Sequence, residues 1–162
     1  MKPFPSTVMV VDDDPANRDL LNTILQAEGS SVRSAASGRE CISELERNVP
    51  DLIILDVLLP DTNGLDLCSQ IKADPSYADL LIILISGNRV SQDEQIVGLE
   101  IGADDYLTRP FERRELIARI YAAYRLRESV RARYADNRLA FTPRPNTSET
   151  ARAYQQESLV ES

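Results

Sequence analysis

The sequence predicts an α/β sandwich: a doubly wound parallel sheet of five strands with helices on both faces. Two observations carry that prediction. Short apolar runs alternate five times with stretches of helical periodicity, as expected when strands alternate with helices of about 10–15 residues around a parallel sheet. Two of the runs, Thr7–Val11 and Leu52–Leu55, lead directly into aspartates: Asp12, Asp13 and Asp14 after the first, Asp56 after the second. Runs this short and apolar suit strands buried on both faces.

The elements follow in order. After the strand Thr7–Val11, Pro15 to Glu28 places Leu20, Leu21, Ile24 and Leu25 on one helical face, and Gly29 stops it. Ser31–Ala35 is a weaker strand of edge character. Ser37 and Gly38 open a helix with Cys41, Ile42 and Leu45 inward, ending before Pro50. Leu52–Leu55 is the third strand, and Pro60-Asp61-Thr62-Asn63-Gly64 is turn chemistry. Leu65, Cys68 and Ile71 space a third helix that stops near Asp74-Pro75. Leu80–Ile85 is a fourth buried strand, and Ser91–Ile101 a fourth helix closed by Gly102. Tyr106-Leu107 is a short fifth strand, and a long helix begins after Pro110. Right-handed crossovers put the functional edge at the carboxyl ends of the strands.

A chain of 162 residues, 43% hydrophobic, can bury one good core. Its net charge of -8 argues against general affinity for nucleic acid, yet the charge is uneven. Residues 1–108 carry -12, residues 109–144 carry +6 with ten arginines, and the last 18 residues carry -2. Cys41 and Cys68 fall in helical patterns and read as small buried hydrophobes in a reducing compartment. Met1 to Thr7 has no apolar stretch of the signal-peptide kind, and no apolar run approaches the ~18 residues of a membrane span. A cytoplasmic chain without membrane contact is expected.

If the first and third strands lie side by side, at least three acids meet at one edge. Two unit charges ~4 Å apart repel by about 4 kcal/mol at an effective dielectric of ~20. Such a cluster needs a cation or raised pKa values. Oxygen ligands without His or Cys favour a hard divalent ion, magnesium first.

Four motifs then stand in order at strand ends. They are Val-Val-Asp-Asp-Asp-Pro-Ala-Asn-Arg (10–18), Leu-Asp-Val-Leu-Leu-Pro-Asp-Thr-Asn-Gly (55–64), Leu-Ile-Ser-Gly (84–87) and Gly-Ala-Asp-Asp-Tyr-Leu-Thr-Arg-Pro-Phe (102–111). On these residues the chain resembles the receiver domain of response regulators, the phosphoacceptor half of two-component signalling, over roughly residues 6–127. The resemblance implies a flavodoxin-like fold with strand order 2-1-3-4-5, an order for which a receiver protein is a standard example. It implies that Asp56 is the phosphoacceptor, fed by a histidine kinase or phosphotransfer protein. Asp12 and Asp13 match the metal-binding pair, holding magnesium (or manganese) with Asp56 and the backbone carbonyl of Leu58. Ser86 matches the hydroxyl that hydrogen-bonds the phosphoryl group, with the Gly87 N–H beside it. Tyr106 matches the aromatic switch, or else is ordinary core packing. Asn88 falls where the family tunes the lifetime of the acyl phosphate. Asp14, Asp104 and Asp105 read as solvated acids.

One position departs from the family pattern. The lysine before the fifth-strand proline is replaced by Arg109, which keeps the charge on a longer, planar group. Arg109 can clamp a phosphoryl bidentately, or crowd a site shaped for lysine and weaken the read-out. The Arg109-Pro110 bond is expected to be cis, as in the family. Two rival functions are weighed against the phosphorylated switch, which works by binding rather than by turnover. A haloacid-dehalogenase-like phosphatase needs a second Asp two residues past the nucleophile, where Leu58 stands. A pseudo-receiver acting as a phosphorylation-independent interaction module is the other, suggested by Arg109.

The sequence divides into a receiver at 1–127, a helical extension at 128–141, and a linker and tail at 142–162. Leu116, Ile120, Ala123, Arg127, Val130 and Tyr134 mark a 4-3 seam along the last helix, interrupted by Arg127. It reads as a coiled coil pairing two copies, or as a solvated basic helix leading to a downstream protein target or a missing output domain. No DNA-binding or cyclase motif is present, and direct nucleic-acid binding is not expected.

Overall fold

The computed structural model describes residues 3–87 and 91–140; Asn88 and the linker and tail lie outside the described residues. Five strands form one parallel sheet: β1 (Thr7–Val11), β2 (Ser31–Ala35), β3 (Leu52–Asp56), β4 (Leu81–Ser86) and β5 (Asp105–Thr108). Their order is β2-β1-β3-β4-β5. Helices α1 (Pro15–Ala27), α2 (Gly38–Arg47), α3 (Gly64–Ala73), α4 (Gln92–Glu100) and α5 (Arg113–Ala140) follow the strands in turn. A 3-10 turn, Pro75–Tyr77, precedes β4, and β4 itself starts one residue later than its hydropathy suggests. By packing, the chain divides into two units, Met1–Arg127 and Glu128–Ser162.

Successive residues of a strand point to opposite faces, so an unbroken apolar strand feeds two cores at once. Met9, Val11, Ile53, Leu55, Ile82 and Leu84 join Cys41, Leu45, Leu67, Cys68 and Ile71 in one layer, built with α2 and α3. Val8, Val10, Leu52, Ile54, Ile83 and Ile85 join Leu21, Ile24, Leu25, Leu116 and Ile120 in the other, built with α1 and α5. Both cysteines are free and buried. Helix starts are fixed by side-chain caps: Asp14 accepts Ala16 N–H at 2.9 Å, Ser37 accepts Glu40 N–H at 3.1 Å, and Asn63 accepts Leu65 N–H at 2.7 Å. Among the described residues, no helix is long and apolar enough to cross a membrane.

Two expectations need correction. Leu20 is 58% exposed, although periodicity places it on the inward face of α1. Leu21, Ile24 and Leu25 centre the buried stripe, and at 100° per residue Leu20 lies about 90° from that centre. The seam along α5 divides as well. Leu116 and Ile120 are buried in the sandwich, whereas Val130 and Tyr134 are exposed. Arg127 does not merely interrupt the pattern. Its Nη1 donates to the carbonyls of Asp51 at 2.9 Å and Asp79 at 3.0 Å, and its guanidinium lies 4.7 Å from the Tyr124 ring centroid. An arginine here caps the amino edge of the sheet just ahead of β3 and β4.

Truncating Leu116 to alanine should therefore cost about 2–5 kcal/mol, while Leu20→Ala should cost under about 0.5 kcal/mol. Urea denaturation of both variants checks the assignment, and equal losses would place Leu20 in the core.

Candidate functional site at the carboxyl edge of the sheet

Strands β1 and β3 are hydrogen-bonded neighbours with Val11 opposite Leu55. The next residue on each, Asp12 and Asp56, therefore emerges at the same level. Both are buried, at 1% and 7% exposure, while Asp13, one residue on, is exposed. Carboxylate oxygens of Asp12, Asp13 and Asp56 all lie within 4.8 Å of one another. Backbone amides orient the two buried acids: Asp14 N–H donates to Asp12 Oδ1 at 2.9 Å, and Leu58 N–H donates to Asp56 Oδ1 at 3.1 Å. The remaining oxygens face Arg109, whose Nη2 donates to Asp12 Oδ2 at 2.6 Å while Nη1 stands 3.6 Å from Asp56 Oδ2. Arg109 is set there by its own backbone N–H, which donates to Ser86 O at 2.8 Å, and it precedes a cis peptide bond to Pro110.

Burial pushes the Asp56 carboxyl up from 3.8 to about 6. The negative charge of Asp12 acts in the same direction, while the Leu58 N–H and the Arg109 guanidinium oppose it. The site opens on a cleft of about 370 Å³ lined by Asp12, Asp13, Asp56, Leu58, Gly87 and Arg109. Asp14 and Asn17, from the start of α1, also border it.

Ser86 ends β4 and is buried; its hydroxyl donates weakly to the Gly87 carbonyl at 3.5 Å and lies beside the Tyr106 hydroxyl. Tyr106 is opposite Leu84 in the β4–β5 pairing and its ring is turned inward, packed among α4 and β4. Gly98 of α4 makes room for it, since a Cβ there would stand 2.8 Å from Tyr106 Cδ2 and 3.2 Å from Leu84 Cδ1. The Tyr106 hydroxyl is buried, and no atom among the described residues meets hydrogen-bond geometry with it. Burial raises its pKa, against a smaller lowering by the Ser86 hydroxyl. Tyr106 thus lies beneath the cleft and does not line it.

Two residues read only as turn chemistry have a further part. A Cβ on Gly64 would collide with the Asp56 carbonyl oxygen, and Gly64 N–H donates to Val57 O at 2.7 Å. The backbone that carries Asp56 thus rests directly on the start of α3. Asp61 accepts the N–H groups of Gly38 at 2.8 Å and Arg39 at 2.9 Å, tying the loop after β3 to the start of α2. Those contacts hold its carboxyl below the usual range. Asp14 is the α1 cap, in keeping with a helix-start charge. Asp104 is exposed, as expected of a solvated acid, and Asp105 is half-buried, but both are also engaged by partners. Asp104 accepts Ile82 N–H at 2.8 Å and pairs with Lys72 at 2.9 Å, and Asp105 pairs with Arg119 at 3.1 Å. Sequence distance hides such pairs, because each partner sits on another element.

The raised Asp56 pKa fixes the sign of a pH effect. Between about pH 4 and 6 the folded protein holds a proton that the unfolded chain has released, so stability falls as pH rises through that window. Asp56→Asn removes the buried charge with little change of shape. In EDTA it should raise stability at neutral pH by on the order of 1–2 kcal/mol, at ~1.4 kcal/mol per pKa unit less the solvent screening at the cleft mouth, and by little near pH 4. Thermal melts across pH read this directly, and a pH-independent gain would rule out the charge as the cause.

Comparison with known proteins agrees with this architecture. The family model of the response regulator receiver domain matches residues 8–121. The chain is 42% identical over 122 residues to response regulator MprA of Mycolicibacterium vanbaalenii, covering 75% of this chain and 52% of the relative. It is 40% identical over 130 residues to transcriptional regulatory protein GltR of Pseudomonas aeruginosa, covering 80% and 53%. It therefore spans about half the length of these curated relatives. A CheY-like receiver domain structure from Methanospirillum hungatei superimposes with a TM-score of 0.70 at 28% identity, covering 76% of this chain and 97% of that one. The sheet order, the aspartates at its carboxyl edge and these matches lead to one conclusion: the chain belongs to the response regulator receiver domain family.

Proposed function

We propose that this chain is a phosphorylatable receiver that takes a phosphoryl group on Asp56 from a histidine kinase or phosphotransfer protein and then changes its binding to a downstream partner. The observation that carries this reading is the convergence of Asp12, Asp13 and Asp56 within 4.8 Å in an open cleft beside Arg109. With Oδ1 held by the Leu58 N–H, Asp56 presents Oδ2 toward Arg109, and Oδ2 is the attacking oxygen. The new O–P bond forms as the P–N bond to the donor imidazole breaks, and the imidazole leaves with the bond's electron pair. Arg109 balances phosphoryl charge, and the Gly87 N–H and Ser86 hydroxyl receive the phosphoryl oxygens.

The donor set contains only carboxylate and carbonyl oxygens, which fits a hard divalent cation, magnesium or manganese. Asp12, Asp13, Asp56 and the Leu58 carbonyl would hold it, and it would supply charge neutralisation at the phosphoryl oxygens. When Ser86 turns toward the phosphoryl, Tyr106 reports that movement to the face formed by α4, β5 and α5. The output is binding, not turnover of a diffusible substrate, and the setting is cytoplasmic. The downstream element is a partner protein or an output domain, in line with relatives of which the matched stretch covers about half. A second copy would pair through the exposed Leu126, Val130 and Tyr134 of α5.

Acetyl phosphate or phosphoramidate with magnesium should add one phosphoryl group, read as a single mass increment, and Asp56→Asn should abolish it. Incorporation that persists in the variant would move the acceptor elsewhere. Millimolar magnesium at neutral pH should also raise the melting temperature, because a ligand that binds only the native state adds RT ln(1 + [L]/Kd). Asp13→Ala should remove most of that rise while stabilising the metal-free protein. A wild-type melting temperature indifferent to magnesium would end the metal assignment.

A further inference from the structure

We propose that a groove along α5 is a docking site for an acidic amphipathic helix of a partner protein. The groove encloses about 540 Å³ and shares no lining residue with the acidic cleft, so the proposal does not depend on phosphorylation. Its floor is Ile117, Ala118, Tyr121 and Ala122, which recur along one face of α5, with Pro3 beside them. Tyr121 meets Phe4 edge-on, with ring centroids 5.0 Å apart and the planes at 66°. The floor is therefore apolar and braced by the segment ahead of β1. Its ends are basic. Arg113 and Arg114 border it at the start of α5, and Arg125 borders it about three turns further on, roughly 17 Å along the helix axis. All three arginines are exposed. Arg113 pairs with Glu28, at the end of α1, at 3.3 Å, whereas Arg114 and Arg125 have no ion-pair partner among the described residues.

That distribution selects the occupant. An elongated floor of small side chains and one aromatic accepts the apolar face of a helix, which anchors at i, i+3, i+4 and i+7. Arg114 and Arg125 lie on the same side of α5, since about three full turns separate them. A docked helix therefore needs apolar residues in its middle and carboxylates at both ends, about three turns apart. Tyrosine and arginine are among the side chains that carry most of the energy at protein interfaces, and both are present. Glu28 holds Arg113 and repels an acid beside it, which directs the docked carboxylate to Arg114. Larger polyanions fit poorly. Residues 1–108 carry -12, and that field repels nucleic acid or anionic lipid approaching over a wide area. A single short helix brings its charge to the basic strip alone.

The probe is a fluorescent amphipathic peptide of about 14 residues, with leucines on one face and glutamates at both ends. A second peptide carries lysines in place of the glutamates. Anisotropy with the full chain should show the glutamate peptide binding about tenfold more tightly than the lysine peptide, the difference expected from two exposed ion pairs made or reversed. Amide NMR should place the shifts at Ala118, Tyr121 and Ala122. In the double variant Arg114→Glu/Arg125→Glu the preference should invert, with the lysine peptide the tighter ligand. Both positions are exposed, so the fold is kept, and an inverted preference is a result that unfolding cannot produce. No binding of the glutamate peptide, a preference that does not invert, or shifts located away from α5 would overturn the proposal. Sedimentation and Overhauser contacts of the free chain test the other occupants. A dimer dissolved by the double variant would make a second copy the occupant, and contacts from the groove to residues 141–162 would make it the chain's own tail. Either result would overturn the assignment to a partner protein.

Discussion

Placing negative charge at the end of two buried, adjacent strands is the constraint that the rest of this molecule accommodates. Asp12 and Asp56 cannot separate, because each follows a strand locked into the sheet by its neighbours and packed on both faces. The apolar layers that give the fold its stability are thus the same elements that hold like charges together. Three kinds of partner offset the repulsion: backbone amides on one oxygen of each acid, the Arg109 guanidinium on the others, and a raised pKa at Asp56.

The loops around the cleft are held by contacts that only make sense in that light. Gly64 lies against the Asp56 backbone with no space for a side chain, and Asp61 ties the same loop to the first amides of α2. Free amides at a helix start carry partial positive charge and donate readily to a carboxylate. Movement of the loop after β3 would have to break that tie, so Asp56 is presented from a firm base.

Behind the cleft, Tyr106 holds two opposing terms. Its ring is buried against Leu84 in a recess that Gly98 leaves open, which favours the inward position. Its hydroxyl is buried without a hydrogen-bond partner of good geometry among the described residues, which disfavours the same position by roughly 1–3 kcal/mol. Ser86 is the neighbour of that hydroxyl and lowers its pKa slightly against the effect of burial.

The sequence alone determined the class of fold and the place of the acids. Unbroken apolar runs ending in aspartates are satisfied by strands buried on both faces with their carboxyl ends exposed, and Thr7–Val11 with Asp12 and Leu52–Leu55 with Asp56 say so on their own. The motifs extended this to the strand order, which β2-β1-β3-β4-β5 matches. Tertiary structure alone decided how the charges are shared. Nothing in the local pattern shows that Arg109, 97 residues from Asp12, divides its guanidinium between two carboxylates. Nor does it show that Arg127 caps the sheet's amino edge, that Asp104 belongs to Lys72, or that Leu20 turns outward while Leu21 turns in. Periodicity fixes which side of an element is apolar to within about one residue. The identity of a polar partner depends on where other elements end in space, and that is settled only when the layers close.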